Sequence, residues 1–206
     1  MLIDDNPFFR AGLKGFLDQT PAYEVLVEAN TLELALQIYE RNILDLVILD
    51  LSTPYTVGLD LINKFVKRFK GVKIVVLSMY ASPIYLTRAL GLGVKAYLTK
   101  SSSYDELKEA IQTVLRNEIY ISKDLSQKIA CSRVTATSNE LDKLSTKEFE
   151  ILRLLAEGAE IEEIAGLLNL SCKSIANNQT TIKNKLSITS ATDLIRYAIL
   201  EGLIEV

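Results

Sequence analysis

Leu46-Val47-Ile48-Leu49-Asp50 is the stretch on which the fold turns. Four apolar residues without polar alternation predict a strand buried on both faces, as in the middle of a parallel sheet. A carboxylate closes the run. An ionised Asp is costly to bury unpaired, so Asp50 belongs at the strand's C-terminal end, near solvent or a cation. In open α/β sheets that end is where sites form. Asp50 could also do no more than cap a turn before Pro54, and the residues around it in the fold have to decide.

Two further acids, Asp4-Asp5, follow the short apolar run Leu2-Ile3 and precede a helical pattern. One Asp would suffice to cap a helix, and two adjacent ones repel. With Asp50 on a neighbouring strand end they form a cluster of hard oxygens suited to Mg²⁺, which binds few carboxylates and keeps several waters. Ser78 ends the run Lys73–Ser78, and Lys100 follows Ala96-Tyr97-Leu98-Thr99. Three acids, a hydroxyl and an amine are thus expected together at strand C-termini.

Composition narrows the function. The chain has 206 residues, is 49% hydrophobic and carries a net charge of −3, enough apolar content for one or two real cores and no sign of disorder. No apolar run approaches the ~18–20 residues of a membrane span. Histidine is absent, which excludes a Ser-His-Asp hydrolase and histidine metal sites. Cys131 and Cys172 make no disulfide framework and suit free thiols in a reducing cytoplasm. Cys172 could act as a redox sensor at a helix N-terminus, although a small residue in a first turn is the simpler account.

In order, the N-terminal part alternates strands and helices: a stub at Met1–Ile3, a helix from Pro7 toward Gln19, a strand over Tyr23–Ala29 and a helix over Thr31–Arg41. After the central strand come helices near Val57–Lys67 and Ser82–Leu90, the latter ended by Gly91 and Gly93. The box Ser103-x-x-Glu106 opens a helix reaching about Arg116. Ile119–Ala130 reads as a short amphipathic helix and Cys131–Asn139 as a linker.

This half resembles a two-component receiver domain, on Asp4-Asp5, on Asp50 with Pro54 and Gly58 behind it, and on Ser78, Tyr97 and Lys100. The resemblance implies a flavodoxin-like fold with a five-stranded parallel sheet in the order 2-1-3-4-5. It also implies a phosphoryl group transferred to Asp50 from a histidine kinase. Mg²⁺ would be held chiefly by Asp5, with Asp4, Asp50 and the carbonyl of Ser52. Ser78 and Lys100 would bind phosphoryl oxygens, and Tyr97 would be an aromatic switch that turns inward on phosphorylation. Tyr80 lies where receivers overlook the attacking water. Only about three residues precede Asp4, fewer than family members usually carry, so a truncated or misassigned start and a loosened central strand are expected.

From Leu144 the period is helical. Ser145-x-x-Glu148 is a second capping box, Gly158 closes the first helix, and Glu162–Leu168 is a short one. Asn169-Leu170-Ser171 turns into Cys172–Leu186, and Ser190-x-x-Asp193 opens a final helix. A tight turn between the middle pair of four helices is a helix-turn-helix pattern. Leu144-Ser145, Glu148, Ile151-Leu152, Gly158, Glu163-Ile164-Ala165, Leu170-Ser171, Ile175, Asn177, Ile182 and Lys185-Leu186 make this half similar to the LuxR-type DNA-binding domain. The whole chain then resembles the NarL/FixJ response regulators: receiver 1–117, linker with a short helix 118–143, helix-turn-helix domain 144–206.

Along Cys172–Leu186 the outward stripe is Lys173, Ala176, Asn177, Thr180 and Asn184. In the family it enters the major groove, with Thr181, Lys183 and Lys185 as further DNA contacts. Leu194, Ile195 and Ala198 offer an apolar face for dimerisation. The C-terminal half is nevertheless acidic: Lys147, Arg153, Lys173, Lys183, Lys185 and Arg196 stand against nine acids, a balance of −3 from Leu144 to Val206. That is a poor electrostatic footprint for DNA.

The expected function is a cytoplasmic, non-enzymatic transcriptional regulator that binds promoter DNA as a homodimer under control of a histidine kinase, with RNA polymerase a further partner. A regulator acting mainly by protein contact, with weak or lost DNA binding, is the alternative. An aspartyl-phosphate hydrolase would want an acid two residues after Asp50, where Ser52 stands.

Overall fold

The computed structural model describes residues 1–51, 58–79, 82–135 and 140–204. Its N-terminal part is built from β1 (Leu2–Ile3), α1 (Pro7–Asp18), β2 (Glu28–Ala29), α2 (Leu32–Arg41), β3 (Val47–Asp50), α3 (Gly58–Arg68), β4 (Ile74–Ser78), α4 (Pro83–Gly91), β5 (Ala96–Thr99) and α5 (Tyr104–Leu115). These are followed by β6 (Tyr120–Ile121) and α6 (Lys123–Thr135). The strands form one sheet in the order β2-β1-β3-β4-β5-β6, every neighbouring pair parallel.

The unbroken apolar runs are explained by burial on two sides. Successive strand side chains point to opposite faces. Leu2, Ile48, Val75, Leu77, Ala96 and Leu98 pack against α1 and α5 through Leu13, Leu17, Leu107 and Ile111. Their neighbours Ile3, Val47, Leu49, Ile74, Val76 and Tyr97 face α2, α3 and α4. The expected five-stranded order 2-1-3-4-5 is present, and β6 extends it by one strand. Ile119–Ala130 is therefore not a single helix: Tyr120 N–H bonds the Lys95 carbonyl at 2.9 Å and Ser122 N–H that of Tyr97 at 3.2 Å. Asn117 in the left-handed region (φ 67°) makes the turn out of α5 that brings the chain alongside β5. The strand expected over Tyr23–Ala29 pairs only at Glu28–Ala29. The central strand is short but held on both sides, since Leu2 N–H bonds Val27 O at 3.1 Å and Ile48 N–H bonds Met1 O at 2.9 Å.

The C-terminal part is a 3-10 turn (Glu140–Lys143), α7 (Thr146–Ala156), α8 (Ile161–Leu168), α9 (Cys172–Lys185) and α10 (Ala191–Leu200). The Ser145–Glu148 box is reciprocal: Ser145 Oγ accepts from Glu148 N–H at 3.3 Å, and the Glu148 carboxylate accepts from Ser145 N–H at 2.7 Å. Gly158 (φ 89°) ends α7 in a conformation that a β-carbon would strain. Asn169 (φ 52°) ends α8, and Ser171 Oγ caps α9 by accepting from Ser174 N–H at 3.1 Å. Leu152, Ile164, Ile175, Ile182, Leu194 and Ala198 are buried in the core of this part.

The two parts meet where α7 lies against α3, with side chains of α4 reaching across to it. Tyr85 of α4 sets its ring edge-on to Phe149 of α7, centroids 5.2 Å apart. Arg88 stacks its guanidinium 4.1 Å from the Phe149 centroid and donates to the carbonyls of Leu141 and Leu144. Glu150, with no exposed surface, accepts the Leu59 N–H of the first turn of α3 at 3.0 Å. It also accepts from Arg153 Nε at 3.0 Å, while Arg153 Nη1 reaches Glu157 at 2.6 Å. A carboxylate at a helix N-terminus suits the dipole, and here helix and carboxylate belong to different parts of the chain. Burial pushes the Glu150 carboxyl up, against the pull of Arg153 and the Leu59 N–H.

Candidate functional site: an acidic cluster on the sheet and an exposed reading helix

The parallel sheet brings Asp4, Asp50, Ser78 and Lys100 to one edge because each ends or directly follows a strand. Asp4, Asp5 and Asp50 each offer a carboxylate oxygen, all within 4.8 Å of one another. Asp4 and Asp50 are buried and Asp5 is exposed. Lys100 Nζ bridges the buried pair, 3.0 Å from Asp4 Oδ2 and 2.7 Å from Asp50 Oδ2. Its backbone N–H bonds the Ser78 carbonyl at 2.8 Å, which locks the β4 and β5 ends together.

Asn6 does two jobs at once. Its side chain caps α1 by accepting from Phe8 and Phe9 N–H at 3.0 and 3.2 Å, and its own N–H holds Asp4 Oδ1 at 2.7 Å. Arg10 adds a bond from Nη1 to the Asp4 carbonyl at 2.6 Å and one from Nε to Glu28 at 3.0 Å, tying the acid turn to β2. Burial raises the Asp4 carboxyl above its ordinary value and the nearby Asp50 adds to it, while Lys100 and the Asn6 N–H oppose. Three carboxylates converging around one ammonium form a cluster of hard oxygens, the donor set of a hard divalent cation.

Of the expected site residues, Asp4, Asp5, Asp50, Ser78 and Lys100 come together. Ser52, Pro54 and Tyr80 lie outside the described residues. Tyr97 is fully buried, in the same core as Tyr85, so the inward position expected only after phosphorylation is already occupied. Sequence reasoning passed over Phe9, Arg10 and Glu150. The only local signal was Asn6 before Pro7, a cap followed by a first-turn proline.

On α9 the residues Lys173, Ala176, Asn177, Thr180, Thr181 and Asn184 are exposed, and Lys183 is partly so. The hydroxyls of Thr180 and Thr181 donate back to the carbonyls of Ala176 and Asn177 at 3.1 and 3.0 Å. Two expectations are corrected. Lys185 is not a bare cation on the outer stripe, since its partly exposed side chain is paired within the domain, Nζ 2.6 Å from Glu148. Leu194 and Ala198 do not form an outer face, being 1% and 0% exposed beneath α10. An amphipathic helix has one main apolar stripe, and the four-helix core has taken it. Ile195 is partly buried, and the outer apolar residues of α10 are Ile199 and Leu200.

Residues 1–112 match the response regulator receiver domain, and residues 142–198 match the bacterial regulatory proteins of the luxR family. The chain is 29% identical over 205 residues to the response regulator UvrY of Escherichia coli K12, covering 98% of this chain and 94% of that one. It is 31% identical over 204 residues to the transcriptional regulatory protein MctR of Rhizobium johnstonii, covering 99% and 94%. Among solved structures it is similar to RcsB of Salmonella enterica serovar Typhimurium bound to promoter P1flhDC with the phosphomimetic BeF3⁻ (TM-score 0.73, 27% identity, 100% of this chain and 97% of that one). Among the described residues no helix is long and apolar enough to cross a membrane. The chain belongs to the NarL/FixJ response regulators, DNA-binding transcriptional regulators in which a receiver domain precedes a LuxR-type helix-turn-helix domain.

Proposed function

We propose that Asp50 is the phosphoryl acceptor and that the phosphorylated chain, a cytoplasmic homodimer, engages promoter DNA through α9, where it meets RNA polymerase. The observation that carries this is Lys100 bridging Asp4 and Asp50 beside Asp5. In transfer, an Asp50 oxygen forms a bond to phosphorus while the P–N bond of a kinase phosphohistidine breaks, and the freed imidazole keeps the electron pair. Asp5, Asp4, Asp50 and the carbonyl of Ser52 would hold Mg²⁺, which when bound offsets phosphoryl charge. Lys100 then exchanges its Asp50 carboxylate oxygen for a phosphoryl oxygen, with the Ser78 hydroxyl as a second donor and Tyr97 filling the core behind it. The receiver is assigned to 1–117 and the DNA-binding domain to 144–206, with β6 and α6 in the segment 118–143 between them. Acetyl phosphate with Mg²⁺ should label the wild type and not Asp50→Asn on a phosphate-affinity gel. Equal labelling of both would remove the assignment.

On DNA, Lys173 and Lys183 would meet phosphates and Asn177 an adenine edge. Ala176, Thr180 and Thr181 would present methyl groups, the threonine hydroxyls being engaged by the helix, and methyl groups pack on the thymine C5-methyl. Replacing thymine by deoxyuridine in the half-site should therefore weaken a gel-shift about tenfold. No shift with any genomic fragment would favour a regulator acting by protein contact, which the acidic C-terminal half also suits.

A further inference from the structure

Lys100 is the cation whose ammonium reaches both buried carboxylates of the cluster, and two of its three N–H directions are spent on Asp4 and Asp50, at 3.0 and 2.7 Å. The side chain is only 11% exposed, so little water reaches the third. In its place stands an aromatic face: the Phe9 ring centroid lies 4.0 Å from Nζ. Phe9 is partly buried at the rim of the core shared by α1 and α5. Its position follows from the Asn6 cap, which bonds the Phe9 N–H at 3.2 Å and, through its own N–H, Asp4 at 2.7 Å. One turn of chain thus sets both the carboxylate and the ring on which the ammonium rests.

We propose that Phe9 is a positioning residue for Lys100, a cation–π seat that holds the ammonium over the acidic cluster and lets it move from carboxylate to phosphoryl oxygen without being released to water. The proposal rests on the phosphoacceptor reading of Asp50. The chemistry favours a ring over a third acceptor. A carbonyl or carboxylate fixes an ammonium by direction and distance, and would oppose any shift. The π face is attractive over a broad area and gains strength where water is excluded. A further carboxylate would also add like charge beside Asp4, whose carboxyl burial already raises and to which Asp50 adds.

The test changes the ring's electrostatics at constant shape. Phenylalanine at position 9 is replaced site-specifically by mono-, di- and trifluorophenylalanine, each step draining the ring face, and Phe9→Leu and Phe9→Tyr are made beside them. Two readouts are taken on the full chain. The first is acetylation of Lys100 by acetic anhydride, followed by peptide mass spectrometry, which needs no phosphorylation. The second is the initial rate of labelling by acetyl phosphate with Mg²⁺. The expected result is graded: Lys100 acetylates progressively faster with fluorine number, reaching roughly five- to tenfold for trifluorophenylalanine and Phe9→Leu, while Phe9→Tyr stays within about twofold of wild type. The phosphorylation rate should fall in the same order. Lys100 acetylation unchanged across the fluorinated series overturns the proposal, even if Phe9→Leu unfolds. If wild type takes no phosphate, the reading of Asp50 fails by itself, and the acetylation series still judges Phe9.

Discussion

Gly58 has no room for a side chain: an ideal β-carbon there would stand 2.3 Å from Leu51 Cδ2. Leu51 is itself buried and directly follows Asp50, so a displaced Leu51 would disturb the end of β3. Gly58→Ala should cost about 1–3 kcal/mol as overpacking, read by urea unfolding, and should slow labelling of Asp50. Unchanged stability and labelling would mean that Leu51 moves aside freely. Glu148 predicts a pH dependence. Burial works against its charge, but Lys185 and the Ser145 N–H prevail and hold its carboxyl below the ordinary 4.5. A depressed folded-state value contributes stability that is full above 4.5 and is lost as pH falls through the folded value. The stability difference between wild type and Glu148→Gln, present at pH 7, should therefore shrink as the pH is taken below 4.5. A constant difference across that range would show that the carboxylate's charge is not what stabilises.

Among elements, α9 and β6 show the two limits of what a sequence discloses. The helix was legible because its apolar positions Ile175 and Ile182 recur at helical spacing and Ser171 marks its start. So was the sheet edge with Asp4, Asp50 and Lys100, since an apolar run ending in a polar group carries its own position. Two residues cannot show alternation, so β6 was absorbed into the helix that follows it. The engagement of Lys185 was hidden for another reason: Glu148 lies 37 residues earlier, and only the packing of α7 on α9 brings them together. With Lys185 paired to Glu148, Lys173 and Lys183 would be the phosphate contacts on α9, and a dimer should give a log K against log salt slope of magnitude about 4. A slope near 10 would place the main basic contacts elsewhere on the molecule. Asn177→Ala should relax base preference by about 1–3 kcal/mol, measured against single-base operator variants.

For the molecule as a whole, the contact that matters is the Glu150 carboxylate set on the first turn of α3. Nothing in the local pattern around Phe149 and Glu150 announces it, because an acid in the first turns of a helix is ordinarily solvated. Removing one partner of a buried charge network leaves the rest uncompensated. Arg153 keeps Glu157, so Glu150→Ala should cost about 3 kcal/mol, the lower end of such losses. Loss of the α7–α3 contact should also raise the radius of gyration in X-ray scattering. Glu150→Gln, which keeps an acceptor for the Leu59 N–H, should fall between wild type and alanine. Scattering curves that coincide for all three proteins would show that the Phe149–Tyr85–Arg88 contacts join the two parts unaided.

The pairing of β6 with β5 also sets how far the two parts can drift. Because Ile121 is fastened to the sheet, α6 (Lys123–Thr135) is laid back against α4 with Leu125 fully buried, and the tether to the DNA-binding part begins only beyond it. The connection from Thr135 to the 3-10 turn at Glu140 is short in sequence, so the local concentration of one part around the other is on the order of millimolar. At that concentration a contact whose Kd between separate pieces were about 0.1 mM would be closed roughly ten times in eleven. Cutting the chain after α6 would abolish this advantage without touching a single interface residue. The contact between the two parts can therefore be weak in bimolecular terms and still be kept closed, and an opposing interaction of a few kcal/mol would suffice to reverse it.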